Sequence, residues 1–184
     1  MEYKEVESAI EAILFAVGDP VPLERLAVLV GIESETVEGI LTHLADLYSY
    51  ERRGMRIIQL EDKYQMVSSP EHAECVRHAL ETRKAPPLSP AALEVLSIIA
   101  YRQPVTRTFV EQIRGVDSTY TVSSLVEKGL IAECGRLDVP GRPMLFKTTD
   151  VFLRAFGLTT LDELPDLPEF AEDVTQLSFG QEVV

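Results

Sequence analysis

Tryptophan is absent from the sequence, and its 184 residues contain only two cysteines and three histidines. Cys75 and Cys134 cannot build a disulfide scaffold, and a chain of this length needs none, so a reduced, cytosolic protein is expected. Long apolar runs are also missing. The longest, Ala12 to Val17, falls far short of the roughly 18–20 residues that span a bilayer, which excludes a helical membrane span. The start lacks the basic, apolar and small-residue regions of a secretory signal, so none is expected. Basic residues are scarce: 17 Lys and Arg face 30 Asp and Glu, a net charge of −13. That is the wrong sign for a protein whose main business is gripping phosphates.

The charge is unevenly spread. Residues 1–85 carry nine basic and sixteen acidic side chains, residues 86–161 eight and seven, and residues 162–184 seven acidic and no basic ones. The first half and the tail therefore hold the negative excess, and the middle is nearly neutral.

Signatures of chemistry are missing as well. There is no Gly-x-Gly-x-x-Gly, no Walker loop and no Gly-x-Ser-x-Gly elbow. The second half contains no histidine to activate Cys134. His72, Cys75 and His78 fall on one predicted helix, but positions i and i+6 lie about 240° apart and cannot meet on one ion. A buried cysteine between surface histidines is expected there, with no metal, no cofactor and no catalytic set. The chain is not read as an enzyme.

What the sequence does contain is a repeat. At an offset of 84, Ala16, Pro20, Val21, Leu26, Leu29, Gly31 and Leu41 fall on Ala100, Pro104, Val105, Val110, Ile113, Gly115 and Leu125. In each copy an apolar helix end leads through a polar break with proline to a short amphipathic helix and a closing glycine. The first copy predicts helices over 3–17, 23–30 and 34–53, the last capped by Ser34 and carrying the stripe Val37, Ile40, Leu41, Leu44 and Leu47. A hairpin of 55–60 and 64–67 and a helix over 70–80 follow.

The second copy opens with Ser89 as N-cap and Pro90 at N1 for a helix to Arg102. Thr106 caps a helix that Gly115 closes. A third helix covers 118–128, then strands 130–134 and 144–148 flank the loop from Gly135 to Pro143. Short helices over 150–156 and 160–164 end the pattern. Three helices and a hairpin make a winged helix. The expected fold is mainly α with small β-hairpins (α+β): a winged-helix domain at 1–80, a linker at 81–88, a second winged helix at 89–165 and a disordered acidic tail at 166–184.

Winged helices often bind DNA, but the third helices lack reading side chains. One begins with Glu35 and Glu38, and the other, Ser118 to Glu127, has no Lys or Arg. A DNA-binding transcription regulator stays open as the alternative function, and weak phosphate contact through Arg136 and Arg142 as a lesser one. The apolar surplus at Ala12–Val17 and Val95–Tyr101 calls for enclosure, either within each domain or against a partner.

The stretch from Leu88 to Arg107, with Ile113-Arg-Gly-Val116, Leu125-Val-Glu-Lys-Gly-Leu-Ile131, Gly135-Arg136, Pro140-Gly-Arg-Pro143, Thr148-Thr149 and Phe152 through Leu158, resembles the segregation and condensation protein B family. The likeness is specific over 88–165 and rests on element order over 1–80. It implies a bacterial cytoplasmic, nucleoid-associated accessory subunit with two winged helices and no enzymatic activity. The partners it implies are a second copy, bound through the N-terminal domain, and the kleisin subunit (segregation and condensation protein A). Through the kleisin it reaches the SMC ATPase; DNA contact is weak or indirect, and no membrane is involved. Tyr101, Arg102, Pro104, Arg107, Arg114, Gly115, Arg136, Gly141 and Arg142 are the expected kleisin contacts, and Ile10, Leu14 and Phe15 the expected dimer contacts. Reversing charge at Arg114 and Arg142 together is expected to weaken kleisin binding and spare the dimer.

Overall fold

The computed structural model describes residues 3–80 and 87–166. The expected tail disorder and most of the expected linker lie outside them. The fold is mixed α+β, with eight α-helices, two 3-10 turns and two small antiparallel sheets among the described residues. The described residues divide into two compact units, one drawn from 3–80, 87 and 153–160, the other from 88–152 and 161–166. Residues 153–160 group with the first unit, where the Glu61 N–H donates to the Thr159 carbonyl at 2.7 Å.

The first unit runs α1 (Tyr3–Val17), β1 (Val21–Pro22), α2 (Leu23–Val30), α3 (Ser34–Tyr50), β2 (Met55–Leu60), β3 (Lys63–Ser68), a 3-10 turn (Pro70–His72) and α4 (Ala73–Ala79). Helix α1 buries Val6, Ile10 and Leu14, one residue per turn. Helix α3 buries Val37, Ile40, Leu41 and Leu44, then Tyr48 in place of the expected Leu47. Eleven residues from Val37 is closer than ten to three full turns, so Tyr48 stays in line and Leu47 drifts to the edge.

Four details differ from the sequence expectation. Helix α3 stops at Tyr50, three residues early, and Arg52 takes a left-handed φ of 50°. The Arg53 guanidinium then folds back over the Tyr48 ring, 4.5 Å from its centre. Glu33, not Ser34, is the N-cap of α3, and no side chain accepts a bond there. The expected helix over 70–80 splits into the 3-10 turn and α4, which buries no residue, so Cys75 is exposed rather than buried between the histidines.

The second unit repeats the order: α5 (Pro90–Arg102), β4 (Val105–Thr106), α6 (Arg107–Arg114), α7 (Thr119–Glu127), β5 (Ile131–Arg136), β6 (Met144–Thr148) and a 3-10 turn (Leu161–Glu163), while α8 (Asp150–Phe156) is divided between the units after Phe152. Ser89 accepts from the Ala92 N–H and Thr106 from the Phe109 N–H, both at 3.2 Å, as N-caps do. Gly115 sits at φ 70° and ends α6; a side chain there would be strained. Strand β5 reaches two residues further than expected because a bulge at Cys134 lets Gly135 and Arg136 pair with Leu145 and Met144.

Each sheet has three strands, ordered β1-β3-β2 and β4-β6-β5. The third member of each is a two-residue strand in the segment read from sequence as a break. Val21 pairs with Tyr64, and Val105 with Phe146. Among the described residues no helix is long and apolar enough to cross a membrane.

Candidate functional site

The arginines expected to face a partner have different surroundings. The Arg114 side chain is only 8% exposed; its Nε lies 3.0 Å from Glu94 Oε2 on α5, and its Nη1 donates to Ser118 Oγ at 2.7 Å. The Ser118 N–H in turn donates to Glu111 Oε1. Arg114 therefore ties α5, the end of α6 and the start of α7 together. Its guanidinium is engaged inside the unit.

Arg136 donates from Nη1 to the Arg142 carbonyl at 3.1 Å, and Arg142 takes a φ of 39° at the hairpin tip, where its N–H bonds the Val139 carbonyl. Both side chains are at the surface. Arg102 is half-buried at the end of α5, and Pro104 is exposed beyond a cis Gln103–Pro104 bond. Next to them Gln103 Oε1 accepts from both the N–H and the hydroxyl of Thr148, at 2.7 and 2.9 Å, which fastens α5 to β6. The Tyr101 hydroxyl donates to the Pro165 carbonyl at 2.6 Å, beside a shallow hollow lined by Ala100, Leu161 and Leu164.

A larger concavity lies between α7 and the β5–β6 hairpin. This groove of about 630 Å3 has Val122, Val126, Pro143, Met144 and Phe146 as its apolar lining, with Arg107, Thr108, Thr119, Ser123, Glu127, Glu133 and Gly141 completing it. Of the nine expected contacts it gathers two, Arg107 and Gly141. Arg107 Nε lies 3.5 Å from Glu111 Oε1 one turn along α6. Its apolar residues were not singled out from the sequence. Their signal was the pairing of Val122 and Val126, four residues apart on α7, with Met144 and Phe146 on one side of β6.

In the first unit Ile10 and Leu14 are sealed in the core at 0% and 1% exposure. Both side chains are engaged in packing within their own unit. Phe15, 71% exposed, remains available. Val17, Val28 and Leu29 are also exposed on the same unit.

Two tyrosines in this unit carry a pH signature. Burial raises the phenol pKa of Tyr48, as does its hydrogen bond to the Glu11 carboxylate. Burial raises that of Tyr64 too, with the Glu38 charge adding to it. The folded state thus keeps protons that the unfolded chain loses near pH 10. Their stabilisation is complete below pH 10 and is lost as pH climbs past it. Urea midpoints should fall steeply above pH 10, and Tyr64→Phe should flatten that fall; an equally steep fall in the variant would contradict the assignment.

Comparison with known proteins decides the family. The model of the family "Segregation and condensation complex subunit ScpB" matches residues 8–167. The chain belongs to this family. Segregation and condensation protein B of Ruminiclostridium cellulolyticum is 44% identical over 184 residues, all of this chain and 95% of that protein. Its counterpart in Oceanobacillus iheyensis is 44% identical over 92% of this chain and 88% of that one. Among solved structures, ScpB from Mycobacterium tuberculosis is 31% identical and covers 86% of this chain and 99% of its own, with a TM-score of 0.43. Family membership sets aside the transcription-regulator alternative.

Proposed function

We propose that the chain is a non-enzymatic accessory subunit of the bacterial SMC–kleisin complex, acting in chromosome condensation and segregation during cell division. The observation that carries this reading is the 44% identity that runs through the whole chain to a segregation and condensation protein B. In this role the two units are winged-helix domains that work as protein-binding modules. The third helices suit that use: Glu35 and Glu38 lead one, and the other has no basic residue, which disfavours phosphate contact. ATP chemistry belongs to the SMC partner, which is reached through the kleisin. The site of action is the cytoplasm, at the nucleoid.

The first unit is the dimerisation module, with Phe15 the exposed member of the α1 set. The kleisin surface is on the second unit, at the groove that holds Arg107 and Gly141. The test is light scattering behind size exclusion, on the chain alone and mixed with the kleisin of its own genome. A mass near 41 kDa, twice 20.5 kDa, that rises on adding kleisin is the expected result. A 20.5 kDa species indifferent to kleisin would refute the reading.

A further inference from the structure

The charges around the groove of the second unit point away from an acidic partner. Among the described residues Arg107 is the sole cation lining it, and Glu111 already stands beside that guanidinium. Glu127, at the end of α7, and Glu133, on β5 across from Phe146, are both exposed, and neither has an ion-pair partner among the described residues. The same groove carries the apolar lining of Val122, Val126, Met144 and Phe146. A volume of about 630 Å3 is within the range of clefts that enclose a ligand or several side chains. Arg136 and Arg142 belong to the hairpin tip and are not part of the lining.

We infer that this groove receives a partner segment whose large apolar side chains fill the space between α7 and the hairpin and whose Lys or Arg meets Glu127 and Glu133. The inference rests on the kleisin-binding reading and specifies its chemistry: the segment the kleisin presents here is apolar and basic. Charge complementarity selects this occupant. An acidic segment would bring like charge to two uncompensated carboxylates, with one already-engaged arginine to offset it.

Calorimetric titration of full-length chain with full-length kleisin of the same genome, at low and high salt, is the test. Glu127→Lys with Glu133→Lys should weaken binding by about tenfold or more, and the corresponding double Gln variant by less. Both glutamates are exposed, so the fold should survive, which a thermal melt checks. Rising salt should weaken the wild type and leave the double Gln variant little changed. Unaltered affinity in the double Lys variant would overturn the inference while the kleisin-binding reading stands. Absence of binding by the wild type would remove both.

Discussion

Leu14→Ala is expected to destabilise the first unit by about 2–5 kcal/mol, the range for emptying a filled apolar site. Leu14 is 1% exposed and shares one cluster with Ile10, Leu26, Val37, Ile40, Leu41 and Leu44, contributed by three helices. The lost methyl groups leave a space that those helices cannot all close at once, so the cost exceeds the transfer energy of the missing atoms. A urea titration should show the midpoint falling at nearly constant slope. The neighbouring Phe15→Ala, at a site 71% exposed, should stay within about 0.5 kcal/mol of wild type, as surface substitutions do. The pair separates two roles that adjacent residues in one apolar run could share. If Leu14→Ala left stability intact and lowered the solution mass, Leu14 would be an interface residue and the core assignment wrong.

That run also shows what a sequence can and cannot disclose. Six consecutive apolar residues at Ala12–Val17 announce that something must be buried, but not which side chains face inward. The helical period is legible only with Val6 and Ile10, which extend the buried line from Leu14 back along α1 at every fourth residue. Helix order was legible for a similar reason. Caps such as Thr106 and Ser89, and the left-handed glycines Gly31 and Gly115, act within three or four residues of themselves.

Strands β1 and β4 were not legible. Two residues hold no periodicity, and their identity as strands depends on partners about forty residues away, Tyr64 for Val21 and Phe146 for Val105. The groove is hidden for the same reason. Arg107, Glu127, Glu133 and Phe146 share it only once two helices and a hairpin have packed. Of the contacts inferred from family motifs, most turn out to hold the second unit together or to sit at its turns, which is another way for a residue to be part of a motif.

Arg114 is the sharpest example, and its substitution should have a large effect in the second unit. Arg114→Ala removes a charged donor from Ser118, which is 1% exposed, and the link from α6 to Glu94 on α5. Losing a hydrogen bond to a charged group costs about 1.5–3 kcal/mol. The Glu94 contact adds little, since that carboxylate is 57% exposed and solvent screens it. A loss of about 2–3 kcal/mol is therefore expected, read as a lower denaturant midpoint for the second unit. Arg142→Glu, on an exposed turn, should leave that midpoint unchanged. Glutamate at position 114 would go further than alanine, placing a carboxylate beside Glu94 and near Glu111. Weaker kleisin binding after reversing both arginines would then report a damaged unit rather than a lost contact. Only a variant of Arg142 alone, shown by its midpoint to be intact, can say whether the hairpin tip touches the partner. If Arg114→Ala kept the wild-type midpoint, the tie between α5, α6 and α7 would be incidental, and a loss of kleisin binding in that variant would report a contact.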